Sequence, residues 1–260
     1  MDLFAGWEFS SRYESMTHDN TPIRINKYLA DCGYATRASA DKLIQEKKVY
    51  VNGVLATIGQ KINLSDIVEV KNVKTTYHYY KYFKPTGITT TKDRNEIDII
   101  SHLKKQGLIQ TQKLFPVGRL DKDSDGLIIL TDDGRITNRL LNPDFFHEKE
   151  YFVTLGKPAT ASALERLARG VVLQKDLKIK RFKTRPAQIR KVSETEFYIT
   201  ITEGKNRQIR RMCSAVGLQL RTLTRIRILS ITLGKMKPDT LLPFTTSEQK
   251  EFLTSLSLSV

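Results

Sequence analysis

Between Tyr77 and Leu233 the apolar residues keep changing period. "KEYFVTL" (149–155) and "EFYITIT" (196–202) alternate every second residue, as half-buried strands do. "IDIISHLKKQG" (97–107) and "ALERLARG" (163–170) space their apolar residues three and four apart, as helices do. "YHYYKYF" predicts a further strand, "KPTG" a turn, and "LIIL" (127–130) a short buried strand. "TDDG" then turns into the helix "RITNRLL", and "QLRTLTRIRILSITL" is the last long strand. "EGKNRQIRRMCSAVG" predicts a loop and then a helix with Ile209, Met212, Cys213 and Val216 on its inward face. Strands and helices interleaved in this way imply an α+β domain whose sheet is mixed, mostly antiparallel and flanked by helices.

A smaller module precedes it. "IRINKYLADCG" sets Ile25, Tyr28, Leu29 and Cys32 on one helical face and offers Gly33 as a stop. Thr36 is an N-cap for a second helix with Ala40, Leu43 and Ile44 inward. "VYVNGVLA" reads as two short strands joined by an Asn52-Gly53 turn suited to positive φ, and "DIVEV" closes the unit. Arg24, Lys27, Arg37 and Lys42 fall on its polar faces. The expected division is a flexible tail over 1–20, a helix–helix–hairpin domain over 21–74, a larger domain over 77–245, and a C-terminal tail over 246–260.

Charge narrows the partner. Lys and Arg number 43 against 28 Asp and Glu, a net charge of +15 with a pI near 9.7. Such an excess favours a polyanion, because cationic patches gain affinity by releasing counterions from phosphates. No apolar stretch approaches the roughly 20 residues that a spanning helix needs, and the N-terminus lacks the basic-then-apolar order of a signal peptide. Cys32 and Cys213 lie far apart, and the four histidines have no ligand spacing. No metal site and no disulfide framework are expected, and a reducing cytoplasm fits.

Against this basic background, "GRLDKDSDG" (118–126) places three carboxylates between two glycines, next to Arg119 and Lys122. One reading is a solvated turn. The other is an ionised Asp121 available to attack, or to stabilise charge at, an electron-poor sugar carbon, with glycines that let backbone approach a substrate.

The order of blocks around this loop resembles the pseudouridine synthases of the ribosomal small- and large-subunit group. "GRLDKDSDGLIILTDDG" is similar to their Gly-Arg-Leu-Asp block, "YFKPTGITTT" to their Lys-Pro-x-Gly segment, "HEKEYFVTL" to their tyrosine motif and "EGKNRQIRRMCSAVG" to their basic helix. The N-terminal module resembles an S4-type RNA-binding domain, and the likeness spans about Ile23 to Leu242. Within the group, "DKDS", "HEKEY" and "NRQIRRMC" look most like the F type of the large-subunit enzymes. Phe83 and Ser124 depart from the usual pattern without touching the reactive acid.

The resemblance implies Asp121 as the catalytic aspartate, Tyr151 as the aromatic packed on a flipped base and a participant in proton transfer, and Arg210 as the cation paired with Asp121, holding it charged. It implies substrate contacts from Arg119, Leu223, Lys84, Asn206, Arg207, Arg211 and Arg225, the last three tracking phosphates. In the S4-like module, Arg24, Lys27, Arg37, Lys42, Asn52 and Gly53 would meet structured RNA. No cofactor is implied, since isomerising uridine moves no hydride, phosphoryl group or external electron; the expected protein is a monomer acting on ribosomal RNA and, as in some F-type members, on the anticodon of tyrosine tRNA. Two other classes stay open on residues alone. One is a non-catalytic ribosome-assembly factor gripping structured RNA. The other is a hydrolase releasing a base, which would need a second free carboxylate, with Asp123 and Asp125 the nearest.

Overall fold

The computed structural model describes residues 22–31, 34–63, 66–71, 77–91, 96–109, 114–173 and 181–258. The expected N-terminal tail, the Gly33 helix stop and most of the joining segment lie outside these residues. The chain forms two compact units, one built on the chain up to Tyr77 together with Asp133–Arg139, the other on His78–Asp132 and Leu140–Val260.

In the first unit β1 (Ile23–Arg24) leads directly into α1 (Ile25–Asp31), and α2 (Arg37–Gln45) follows. Thr36 caps α2 through a capping box with Ser39. β2 (Val49–Val51) and β3 (Val54–Leu55) form the hairpin, with Asn52 and Gly53 at φ of 51° and 79°, the pair of positive angles that a tight two-residue turn needs. β4 (Lys61–Ile62) pairs with β1, and β5 (Val68–Val70) with β2. Ile25, Leu29, Ala40, Ile44, Val49 and Ile62 close the core. Asp133–Arg139, which the sequence places inside the larger domain, groups with this unit, and the Arg135 guanidinium lies 4.5 Å from the centre of the Tyr77 ring.

The second unit runs β6 (Tyr79–Lys84), α3 (Ile99–Lys105), β7 (Phe115–Val117), β8 (Asp125–Thr131), α4 (Arg135–Leu141, whose first residues belong to the other unit), β9 (Lys149–Leu155), α5 (Ala161–Ala168), β10 (Val172–Leu173), β11 (Phe182–Lys183), β12 (Gln188–Lys191), β13 (Glu196–Ile201), α6 (Gln208–Ala215), β14 (Leu220–Ile228), β15 (Ile231–Thr232), β16 (Leu241–Pro243) and α7 (Thr246–Ser255). Nine strands form one sheet in the order β12-β13-β9-β14-β8-β6-β16, with β7 added to β8 and β15 to β14. The β8–β14 pair is parallel and the other pairs of this sheet are antiparallel. Leu127 to Leu130 are fully buried at its centre, as a continuous apolar run requires.

The parallel pair positions the site. Arg225 on β14 is the register partner of Gly126 on β8 and of Tyr151 on β9, so these three residues form a row across adjacent strands. At strand spacing the row from Gly126 to Tyr151 spans about 10 Å. Gly126 sits at φ 108°, and a Cβ there would lie 2.3 Å from the Arg225 carbonyl oxygen and 2.6 Å from its nitrogen.

The C-terminal stretch is not a tail. Thr245 and Glu248 form a capping box at the start of α7, and Phe252 and Leu253 are buried, with Phe252 edge-on to Phe244 at 5.5 Å. Lys81 of β6 donates to Glu248 at 2.6 Å. The capping pattern is present in "TTSEQKEF", but the polar composition hides the two apolar anchors. No helix among the described residues is long and apolar enough to cross a membrane.

Replacing Gly126 with Ala should cost about 3 kcal/mol or more, because backbone cannot retreat from a methyl group as a side chain can. For a chain of this size that lowers the melting temperature by roughly 6–12 °C. Gly217→Ala, with φ 81° but open space around it, should cost only about 1 kcal/mol. Calorimetry on the two variants checks the contrast.

Candidate active site

The acidic loop is held from four sides. Thr90 Oγ1 donates to the Leu120 carbonyl at 2.7 Å and accepts from the Leu120 amide at 3.0 Å. Gly87, in the turn after β6, donates its amide to the Lys122 carbonyl at 2.8 Å. From β14, Arg225 donates to the Leu127 carbonyl at 2.7 Å and the Arg119 carbonyl at 3.1 Å. From α6, Arg210 donates to the Asp123 carbonyl at 2.7 Å and to Ser124 Oγ at 3.0 Å.

These clamps treat the acids differently. Arg207 grips Asp123 with two hydrogen bonds of 3.0 and 2.8 Å. Those bonds, with Arg210 beside them, hold the Asp123 carboxyl below its usual range despite its partial burial. Among the described residues the cation within 4 Å of Asp121 is Arg207, with Nη1 at 3.9 Å, and the Asp121 side chain is 30% exposed. The loop therefore neutralises Asp123 structurally and leaves Asp121 facing the cavity.

Asp121 faces a cavity of about 350 Å³, at the small end of the range for small-molecule sites and enough for one nucleoside. Tyr151, Leu223, Arg119, Asn206, Arg207 and Arg225 also line it, so seven of the expected site residues converge. Tyr151 is 8% exposed and Leu223 6%, which makes them floor and wall, while Arg119, Asn206 and Arg207 are exposed at the rim. Arg207 begins α6 in the left-handed region at φ 47°, a strained position for a residue with a side chain.

Four expectations are corrected. Arg210 does not pair with Asp121: its guanidinium is taken by the Asp123 backbone, the Asp123 carboxylate and Ser124, and Arg207 is the cation nearest Asp121. Lys84 does not face substrate. It is 0% exposed, and its ammonium donates to the Pro85 and Ile88 carbonyls at 2.8 and 2.9 Å, so it braces the turn that holds the loop. Burial, reinforced by Arg225 and opposed by Asp125, pushes its pKa down to about 8. Arg225 does not track phosphates from the surface, being 3% exposed beneath the cavity floor. Farther along β14, Arg227 is tied to Glu148 and Glu150 at 2.9 Å each. Arg211 is half-buried beside Phe182, outside the cavity.

In the first unit Arg24, Lys27, Arg37 and Lys42 are exposed, as is Gly53. Asn52 is committed internally: its amide donates to Asp66 at 3.0 Å and its side-chain oxygen accepts from the Ile67 amide at 2.9 Å. A reading of the residues alone missed Lys149. It lines the cavity two residues before Tyr151, and the alternation of "KEYFVTL" puts both on one strand face. Burial, then the charge of Arg225, pushes its pKa down to about 8.

Comparison with known proteins follows the same lines. Residues 78–215 match the family model described as RNA pseudouridylate synthase, and residues 23–68 match the S4 domain. The dual-specificity RNA pseudouridine synthase RluF of Escherichia coli K12 is 34% identical over 225 residues, covering 83% of this chain and 73% of that protein. The ribosomal large subunit pseudouridine synthase B of Bacillus subtilis is 34% identical over 78% of this chain and 84% of its own length. A crystal structure of a pseudouridylate synthase superposes with a TM-score of 0.63 at 28% identity, covering 88% of this chain and 99% of that one.

The depressed Lys149 has a measurable consequence for stability. An unfolded lysine keeps its proton up to about 10.5, whereas the folded protein releases it near 8. Below pH 8 both states are protonated and the cost of the buried charge is constant; between about 8 and 10.5 the unfolded state binds more protons, so stability rises with pH. Lys149→Met should therefore be stabilised relative to the parent at about pH 7, and that advantage should shrink by about pH 10. Urea titrations of both proteins at the two pH values measure it.

Proposed function

The chain belongs to the RNA pseudouridylate synthase family and carries an S4 domain ahead of its catalytic domain, and from that premise we propose that Asp121 acts on the ribose of the target uridine. The observation that carries this is the division of labour in the acidic loop, where Asp123 is clamped and Asp121 is left facing a nucleoside-sized cavity. The reaction breaks the N1–C1′ bond, turns the detached uracil and joins C5 to C1′. A carboxylate at the ribose can serve this either as nucleophile at C1′ or as acceptor of the C2′ proton.

Tyr151 stacks on the flipped base, offsetting part of the few kcal/mol that unstacking costs. Leu223 packs the other side of the site, and Arg207, rather than Arg210, is the cation that accompanies Asp121. Arg119 and Asn206 at the rim take the flanking ribose and phosphates. Asp123, held by both Arg207 hydrogen bonds, is a poor second acid for base hydrolysis, and Asp125 is absent from the cavity lining. The substrate we assign is a uridine of large-subunit ribosomal RNA and, following the F-type likeness and the dual-specificity relatives, the anticodon of tyrosine tRNA. Arg24, Lys27, Arg37 and Lys42 of the S4 domain hold the RNA through phosphates.

Asp121→Asn should lower turnover by about 10³-fold or more while leaving RNA affinity within a few-fold. Tritium release from C5-labelled uridine in RNA measures turnover, and a variant retaining a tenth of the parent rate would remove Asp121 from the chemistry. Pseudouridine mapping in cells lacking the protein, with and without the Asn variant restored, identifies the target; loss confined to RNAs other than ribosomal and tyrosine transfer RNA would overturn the substrate assignment.

RNA binding should weaken linearly in log affinity against log salt, by roughly 0.7–0.9 per phosphate neutralised. Replacing Arg24 and Lys27 together by Ala should reduce that slope by about 2. A slope unchanged by the pair would take them out of the RNA contact.

A further inference from the structure

Among the described residues Phe146 is the one phenylalanine or tyrosine that stands exposed rather than buried or half-buried, with 57% of its surface open. It lies in the segment 142–148, which joins Leu141 at the end of α4 to Lys149 at the start of β9, and both of those residues line the cavity. The segment opens with a 3₁₀ turn, Pro143–Phe145, and Phe146 ends that turn in the left-handed region at φ 54°. A residue with a ring is strained there, where glycine or asparagine fits more easily. The ring is nonetheless held in place. Arg185 lays its guanidinium 4.0 Å from the ring centre and donates through Nη1 to the Pro143 carbonyl at 2.6 Å. The same carbonyl accepts from the Phe146 amide at 3.2 Å, so ring and cation are tied to one oxygen. The Arg185 amide donates to the buried Glu203 carboxylate at 3.0 Å, which also accepts from Gln208 at 2.8 Å and pairs with Lys205 at 3.1 Å. Gly204 and Lys205 line the cavity, so the ring and its cation are pinned from both sides to elements that carry the cavity wall.

An aromatic face backed by a guanidinium and fixed before anything binds is suited to a nucleobase. Every base has a π face to stack, and a ring already held in place loses little freedom on binding. RNA that gives up one base to a pocket has neighbours unstacked on that side, and single-stranded RNA is commonly read by splaying such bases onto aromatic rings and arginine planes. We propose that Phe146, held by Arg185, is a stacking subsite for the base of a nucleotide flanking the target uridine, outside the cavity that takes the uridine itself. Arg119 and Asn206 meet the sugar and phosphates at the rim, and Phe146 takes a base. A purine, with its larger face, binds there more tightly than a pyrimidine. The inference rests on reading the cavity beside Asp121 as the uridine site.

A synthetic RNA centred on the uridine that pseudouridine mapping identifies, labelled with tritium at its C5, is the substrate for the test. Single-turnover tritium release measured over a range of protein concentrations gives a half-saturating concentration and a saturating rate. Phe146→Gly removes the ring and suits φ 54°, so the turn keeps its course; it should raise the half-saturating concentration by about 5- to 100-fold and leave the saturating rate within threefold. Phe146→Leu should lose as much, because it fills space without a π face, whereas Phe146→Trp should stay within threefold of the parent. Replacing the flanking nucleotides one at a time by an abasic ribose should find one position that weakens the parent by a similar factor and weakens Phe146→Gly by less than twofold. Asp121→Asn lowers the saturating rate and not the half-saturating concentration, so failure of the uridine reading and failure of the stacking subsite fall on different axes. A rise of less than threefold in Phe146→Gly, parent-like binding by Phe146→Leu, or an abasic penalty undiminished in Phe146→Gly at every flanking position would overturn the assignment, the last by showing that the ring serves something other than a base of the substrate.

Discussion

The close approach of β8 and β14 at Gly126 and Arg225 is the constraint on which the site depends. It is a backbone-to-backbone contact that any side chain at position 126 would occupy, with a methyl carbon 2.3 Å from a carbonyl oxygen. Because the strands can meet there, one parallel pair sits inside an otherwise antiparallel sheet, and Arg225 lands in register with both Gly126 and Tyr151. The Arg225 side chain then runs under the cavity to the Leu127 and Arg119 carbonyls and fixes both ends of the acidic loop. A surface loop with three carboxylates is thereby given the rigidity of a central strand.

The same buried guanidinium ties the electrostatics together. It lies 3% exposed, close enough to help lower both Lys84 and Lys149, so one fixed charge braces the loop and biases two lysines towards their neutral forms. Lys84 spends its ammonium on two carbonyls of the turn that in turn holds Lys122. Buried cations of this kind are costly unless their donors find partners; backbone carbonyls, not carboxylates, take Lys84 Nζ and Arg225 Nε and Nη1, while Arg225 Nη2 is buried with no hydrogen-bond partner among the described residues.

Much of the fold was legible because local rules and tertiary packing agree. The Thr36 cap, the Asn52-Gly53 turn, the inward face of α6 and the alternation of β9 and β13 each follow from spacing alone. Asp121, Tyr151 and Leu223 could be named from the order of motifs, and they line one cavity. What spacing could not tell is which side of a central strand a cation occupies. Lys84 and Arg225 look like surface charges in a one-dimensional pattern, yet neighbours on both sides of the sheet bury them. The choice between Arg207 and Arg210 as the partner of Asp121 turns on the left-handed start of α6, a backbone detail that "KNRQIRR" does not announce. Lys149 was visible in principle, as the residue sharing a strand face with Tyr151, but a lysine between two glutamates reads first as a solvated charge cluster. In α7, two apolar anchors among polar neighbours escaped notice for the same reason.

The left-handed backbone of Arg207 sets foldability against grip at a single position. Holding a long side chain at φ 47° costs on the order of 1 kcal/mol or more, and glycine would adopt the same angles freely. Laboratory evolution for heat tolerance alone would favour glycine there, and the chain it produced would melt later while its acidic loop lost both bonds from the Arg207 guanidinium. Robustness and poise are therefore competing selections at this residue, and a sequence that keeps arginine there records which of them has weighed more.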